Sequence, residues 1–144
     1  MIKCDEAVLR KLASYLGDQR SEHVACLVGI KSGEEYYILD VLPARNEDYR
    51  PTEEFFVSGR QMSAISKEAQ RRGYSVLGVA HSHMPYHPSI PSQADINCCR
   101  HPVNAVYHPA TSALTWFNGH GPIKREFLIF LPGPEAPSFR PVLA

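Results

Sequence analysis

The chain has 144 residues, a length that suits one compact domain able to bury a core without staples. Lys and Arg together number 15, as do Asp and Glu, and this zero balance speaks against a general binder of nucleic acid or another polyanion. The N-terminal Met1-Ile2-Lys3-Cys4-Asp5-Glu6 lacks an apolar signal core and no stretch approaches the length of a membrane span, so we expect a cytoplasmic protein with no membrane partner.

In chain order, Val8, Leu9, Leu12, Tyr15 and Leu16 recur at three-to-four-residue spacing before Gly17, which predicts an amphipathic helix over 5–16. Residues 23–30 and 35–42 are apolar with β-branched and aromatic members. Lys31-Ser32-Gly33-Glu34 between them signals a hairpin. A polar loop over 43–53 leads to a short predicted strand, Phe55-Phe56-Val57. A second helix follows over 59–72, with Met62, Ile65 and Ala69 on one face and Gly73 as its stop.

Residues 74–82 form a near-continuous apolar run, as a central strand buried on both faces requires. Three prolines, Pro85, Pro88 and Pro91, then make 84–91 a stiff loop, and Ser92-Gln93-Ala94-Asp95 opens a third short helix. Strands are predicted near 103–107, 113–118 and 123–131, with turns at 109–112 and 119–122. The expected fold is mixed α/β: one domain over 1–131, built as a curved mixed sheet flanked by helices, and an irregular Pro-rich tail over 132–144. The four cysteines, Cys4, Cys26, Cys98 and Cys99, form no C-x-x-C pair and read as reduced thiols. Cys98 and Cys99 look like small apolar residues on a helix.

His81-Ser82-His83 ends the most hydrophobic strand. Residues two apart in a strand share a face at about 7 Å, so the two imidazoles can converge on one ion. Neutral imidazole is a good zinc ligand, and a catalytic zinc needs three protein ligands and an open position. Asp95, brought back by the loop, is the candidate third ligand. Each element also has an ordinary reading. A chain with seven histidines shows an H-x-H pair by chance fairly often, and Ser92-x-x-Asp95 is also a helix capping box. Glu22 read by itself is a solvated charge at a strand start. His87, His101, His108 and His120 read as surface or packing histidines, with His87 the best placed to touch a substrate and Tyr86 able to stack on an extended peptide.

In combination these residues resemble a known family. His81-Ser82-His83, Pro85, six residues and Ser92-x-x-Asp95 resemble the signature H-[ST]-H-P-x6-S-x-x-D of the JAMM (MPN-type) zinc metalloproteases, in a compact prokaryotic-like, deubiquitinase-like form. Glu22 followed by His23-Val24-Ala25-Cys26-Leu27-Val28-Gly29 resembles the family's glutamate and first core strand. The likeness spans about residues 5–120. Two departures stand out: Met84 lengthens the loop by one residue, and Ala25 replaces a usual glycine.

The resemblance implies a cytidine-deaminase-like fold, with one Zn2+ held by His81, His83 and Asp95. It further implies Glu22 as general base for an activated water and Ser92 as hydrogen-bond donor to the tetrahedral oxyanion. The implied substrate is a ubiquitin-like or sulfur-carrier β-grasp protein cut after its C-terminal Gly, with an E1-like activating enzyme in the same pathway. Two alternatives stay open: a non-catalytic MPN scaffold, and a zinc hydrolase of a small molecule or a peptidoglycan-type peptide. The missing P-C-x-x-C ligands speak against a zinc nucleobase deaminase.

Overall fold

The computed structural model describes residues 1–17, 20, 22–48, 50, 54–98 and 100–131, without the side chains of 97 and 98. Elements run in the order β1 (Ile2–Asp5), α1 (Glu6–Leu16), β2 (Val24–Ser32), β3 (Glu35–Ala44), α2 (Gly59–Arg71) and β4 (Ser75–Ser82). They continue with α3 (Gln93–Cys98), β5 (Asn104–His108), β6 (Ala113–Asn118), β7 (Gly121–Pro122) and β8 (Leu128–Leu131). The expected 132–144 tail, the side chain of Cys98 and the whole of Cys99 lie outside the described residues. Among those residues no helix is long and apolar enough to cross a membrane.

Both long helices start as their sequences dictate. The Asp5 side chain accepts from the Val8 amide at 2.9 Å, and Ser58 Oγ accepts from the Gln61 amide at 3.2 Å, each satisfying a donor the first turn leaves unpaired. The apolar stripe of α1, Val8, Leu12 and Leu16, packs with Ala25, Leu27, Val41, Leu77 and Ala80. Ile65 and Ala69 of α2 pack with Cys26, Val28 and Leu42. Alternate residues of β2 therefore serve different cores, which is why its sequence reads as an unbroken apolar run.

All eight strands join one sheet in the order β7-β6-β5-β4-β2-β3-β1-β8. β2 runs antiparallel to β3 and β4, with bulges at Val28/Gly29 and Leu27/Val28. The β4–β5 and β1–β8 pairs are parallel. The sheet curls into a half-barrel: Trp116 on β6 and Phe130 on β8, from opposite ends of the strand order, bring their rings to 6.1 Å.

Three expectations need correction. Phe55-Phe56-Val57 is not a strand, because a side chain takes up its backbone: Asn46 Oδ1 accepts from the Phe56 amide at 3.0 Å, and the Phe56 carbonyl accepts from the Glu47 amide. The predicted strand over 123–131 is interrupted by a 3-10 turn at Arg125–Phe127, where Lys124, Arg125 and Glu126 are exposed. Only β8 remains of it, paired with β1. The preceding residues Gly121 and Pro122, expected as turn, form β7 against β6. β1 itself escaped the sequence reading; its four residues alternate buried and half-buried, too short a run to signal a period.

Candidate metal centre

β4 carries the site out of the core. Val79 packs in the α2 cluster, and strand alternation puts His81 and His83 on the same side, at the strand's end. His81 is fully buried and His83 nearly so. Their Nε2 atoms lie 3.2 Å apart. Asp95, in the first turn of α3, brings Oδ1 to 3.3 Å from His81 Nε2 and Oδ2 to 3.1 Å from His83 Nε2.

The hydrogen bonds around these groups say what they lack. His83 Nδ1 lies 2.7 Å from the Pro88 carbonyl, which can only accept, so Nδ1 carries the proton and a neutral His83 aims the bare pair of Nε2 at the site. That pair faces a second imidazole nitrogen and a carboxylate. Lone pairs converging in a buried space call for a cation. Ligands at the corners of a tetrahedron around zinc, with bonds of about 2.0–2.1 Å, stand roughly 3.3–3.4 Å apart. The separations of 3.1–3.3 Å, those to Asp95 taken from each ring to the oxygen nearest it, lie close to that spacing. The ring bonded to a carbonyl at Nδ1 is also the usual support of a metal-ligating histidine. Among the described residues His81 Nδ1 is a buried polar atom with no partner.

The same geometry shifts the acids and bases. Burial depresses the His81 pKa by disfavouring the imidazolium. At His83 burial pulls the same way, but the hydrogen bonds to Asp95 and the Pro88 carbonyl outweigh it and the net shift is upward. For Asp95 burial alone would raise the pKa, yet hydrogen bonds to His81 and His83 hold it well below the usual carboxylate range. An ionised carboxylate and two imidazoles that bind in their neutral form are the donor set a divalent transition metal takes.

Glu22 closes the site from the other side. It precedes β2, is 3% exposed, and belongs with His81 and His83 to a buried group whose potential ligand atoms lie within 4.8 Å of one another. Desolvation raises its pKa from 4.5 to about 7, against a smaller opposing pull from His83. The expectation of a solvated charge is therefore not met. His87 Nδ1 stands 3.9 Å from Glu22 Oε2, which puts this loop histidine at the site's mouth.

Ser92 and Asp95 form the capping box: Ser92 Oγ accepts from the Asp95 amide at 3.1 Å and Asp95 Oδ2 accepts from the Ser92 amide at 2.8 Å. The box orients the carboxylate toward the histidines, so the structural and metal-site readings of this motif describe one arrangement. A hydroxyl that accepts in this way still has its own proton to give.

Several supporting residues went unread in the sequence. Phe55 stacks on the His81 ring at a centroid distance of 4.3 Å. Ser82, between the histidines, accepts from the His23 amide at 2.8 Å and so ties the Glu22 segment to the end of β4. Asn46 donates to the carbonyls of Glu22 and Glu54 while accepting from the Asp48 and Phe56 amides. His108 is buried. An asparagine inside a polar loop is too common a feature to have marked Asn46 in advance.

The sequence model of the family described as prokaryotic homologs of the JAB domain matches residues 5–120. Among solved structures, a protein from Desulfitobacterium hafniense is similar at 23% identity and a TM-score of 0.73, covering 92% of this chain and 94% of that one. A protein from Salinibacter ruber is similar at 24% identity and a TM-score of 0.65, covering 94% of each chain. A JAB1/MPN domain protein from Archaeoglobus fulgidus is 18% identical with a TM-score of 0.56, covering 91% of this chain and 99% of that one. These likenesses are of fold. No curated protein matches the sequence.

Proposed function

The chain belongs to the prokaryotic homologs of the JAB domain, and from that membership we propose that it is a zinc-dependent peptidase or isopeptidase, with the metal held by His81, His83 and Asp95. The observation that carries the proposal is the meeting of two imidazole nitrogens and a carboxylate at 3.1–3.3 Å beside a buried glutamate of near-neutral pKa. Zinc bound there would supply Lewis acidity, which activates water near neutral pH.

The chain's own groups account for the proton movements and the charge. Glu22, with a pKa of about 7, takes a proton from the attacking water and returns it to the departing amine. Ser92, on the exposed rim, donates to the oxyanion of the tetrahedral intermediate. Asn46 and Ser82 keep the Glu22 segment in place while this happens.

The proposed substrate is a ubiquitin-like or sulfur-carrier β-grasp protein cut after its C-terminal Gly-Gly, which places an E1-like activating enzyme in the same pathway. Two features support this. Carbonyls of the 84–91 loop are tied to His83, His108 and Thr115, so the loop has little freedom to make room for side chains near the scissile bond. Gly-Gly has none and extends freely. Phe56, Tyr86 and Ile90 are more than half exposed on segments that hold the site, an apolar rim suited to a folded partner.

The test pairs two fusions of a β-grasp protein, one with Gly-Gly before the junction and one with Ala-Ala, incubated with protein shown by metal analysis to hold about one zinc per chain. Cleavage of the first alone, read by mass spectrometry, is expected. Equal cleavage of both would point to a general peptidase. Zinc binding with no cleavage of either would move the reading to a small peptide substrate.

A further inference from the structure

The loop that follows the histidines has an unusual demand on its carbonyls. Prolines at 85, 88 and 91 remove three amide donors, which leaves the segment the turn in which the His87 amide donates to the Met84 carbonyl at 2.9 Å. The carbonyls of Pro85, His87, Pro88 and Ser89 are claimed from outside. His108 Nε2 lies 3.2 Å from the Pro85 carbonyl and 3.1 Å from that of His87. His83 Nδ1 takes the Pro88 carbonyl, and Thr115 Oγ1 donates to that of Ser89 at 2.9 Å.

The protons in this chain of contacts are set by what each partner can do. Two carbonyls against one ring nitrogen require a proton on His108 Nε2, which leaves Nδ1 as acceptor in the neutral ring. Thr111 Oγ1 lies 3.2 Å from that Nδ1 and itself accepts from the Ala113 amide at 3.4 Å, so its hydroxyl proton points to His108. The order runs from the β5–β6 turn through Thr111 and His108 to the loop, and from the Pro88 carbonyl to His83.

We infer that His108 is a positioning residue for the metal centre: it holds the 85–87 backbone so that the Pro88 carbonyl keeps His83 in the tautomer whose Nε2 faces the site. The inference rests on the metal-site reading given above. His108 is 23 residues from Pro85 in sequence and 5% exposed, at the last position of β5. Among the described residues its side chain bonds to Thr111 and to the Pro85 and His87 carbonyls and to no imidazole or carboxylate of the site, so its effect must pass through the loop.

The experiment compares the wild-type chain with His108→Leu, His108→Gln and Thr115→Val, measuring zinc dissociation with a chelating dye and His83 ring tautomer by nitrogen NMR of the metal-free protein. Loss of an outer support of a metal-bound histidine weakens metal binding by about 10- to 100-fold. His108→Leu should fall in that range and show mixed His83 tautomers. His108→Gln, which keeps a donor at similar reach, should recover most of the affinity, and Thr115→Val should shift it a few-fold the same way. Should His108→Leu fail to fold, the Thr115→Val result decides. Wild-type zinc affinity and a single His83 tautomer in folded His108→Leu, whatever its melting temperature, would overturn the inference while leaving the metal centre intact. Unchanged zinc affinity and an unchanged His83 tautomer in Thr115→Val, with His108→Leu unfolded, would overturn it equally. A wild-type chain that binds no zinc would instead refute the metal-site reading itself, and the inference with it.

Discussion

A carboxylate sealed from water beside two imidazoles resists ionisation, and Glu22, with a pKa raised from 4.5 to about 7 chiefly by burial, is in that position. The sign of its effect on stability follows. Below about pH 4.5 the group is protonated in both folded and unfolded chains and contributes nothing. Between 4.5 and 7 the unfolded chain releases the proton first, so the metal-free fold loses stability as pH rises. Above 7 the loss is complete, about 3 kcal/mol for a shift of this size. Glu22→Gln should therefore stabilise the metal-free protein by up to about 3 kcal/mol at pH 8 and leave it nearly unchanged at pH 4, as read by urea denaturation. The same variant should retain zinc and lose most turnover. Loss of zinc instead would make Glu22 a ligand, a role its distance from His81 and His83 permits.

At the scale of elements, the site depends on how closely β4 approaches its neighbours. A Cβ on Gly78 would sit 1.3 Å from the Val103 carbonyl oxygen, so only glycine lets the β5 segment come alongside before the parallel pairing at Ala80 and Ala105 begins. Gly29 plays the same part at the β2 bulge, where a Cβ would meet the Tyr37 carbonyl oxygen at 1.8 Å. Backbone cannot give way as a side chain can. Gly78→Ala should cost about 3 kcal/mol or more, at the upper end for overpacking, and should also weaken zinc binding because His81, on the same strand, and His83, just past its end, lie beyond it. Thermal unfolding and metal titration of the folded fraction check both. A fully stable Gly78→Ala would show that β5 can move aside.

For the molecule as a whole, the candidate metal centre lies beside the core rather than within it. The α1 and α2 clusters hold most of the buried apolar side chains, whereas Phe55, which stacks on His81, packs with Ile96 on the small cluster of Val106 and Phe117. Removing the metal should leave the half-barrel folded, unlike a small domain whose core is the metal itself. Chelator-treated protein is expected to unfold in one cooperative transition with unchanged far-ultraviolet dichroism. Added zinc should raise the melting temperature in a concentration-dependent way. Hydrogen exchange should quicken in 84–98 and hold elsewhere. Loss of cooperative unfolding on chelation would make the metal part of the fold's foundation.

The pair His81 and His83, the Ser92-x-x-Asp95 cap and the two long helices were legible in the sequence because their signals are local, whereas Glu22, by itself a solvated charge at a strand start, was singled out only by the family resemblance. Capping residues, apolar spacing and a histidine pair ending an apolar run all act within a few consecutive positions. The ordinary reading of Ser92 and Asp95 as a helix start was also legible, and the structure makes it the means by which the carboxylate is aimed. What tertiary structure decided lies across long separations. Asn46 reaches Glu22 over 24 residues, His108 reaches Pro85 over 23, and Thr115 reaches Ser89 over 26. Phe55 gave up the strand expected of it to cover His81. β1 and β8 pair across a long separation, Ile2 with Leu128, and Phe130 of β8 meets Trp116 of β6 because the sheet curls. Residue type and local spacing can state which groups a site needs. Which backbone comes within hydrogen-bond reach of Asn46 or His108 depends on sheet register and curvature, and these are set by the packing of the whole chain.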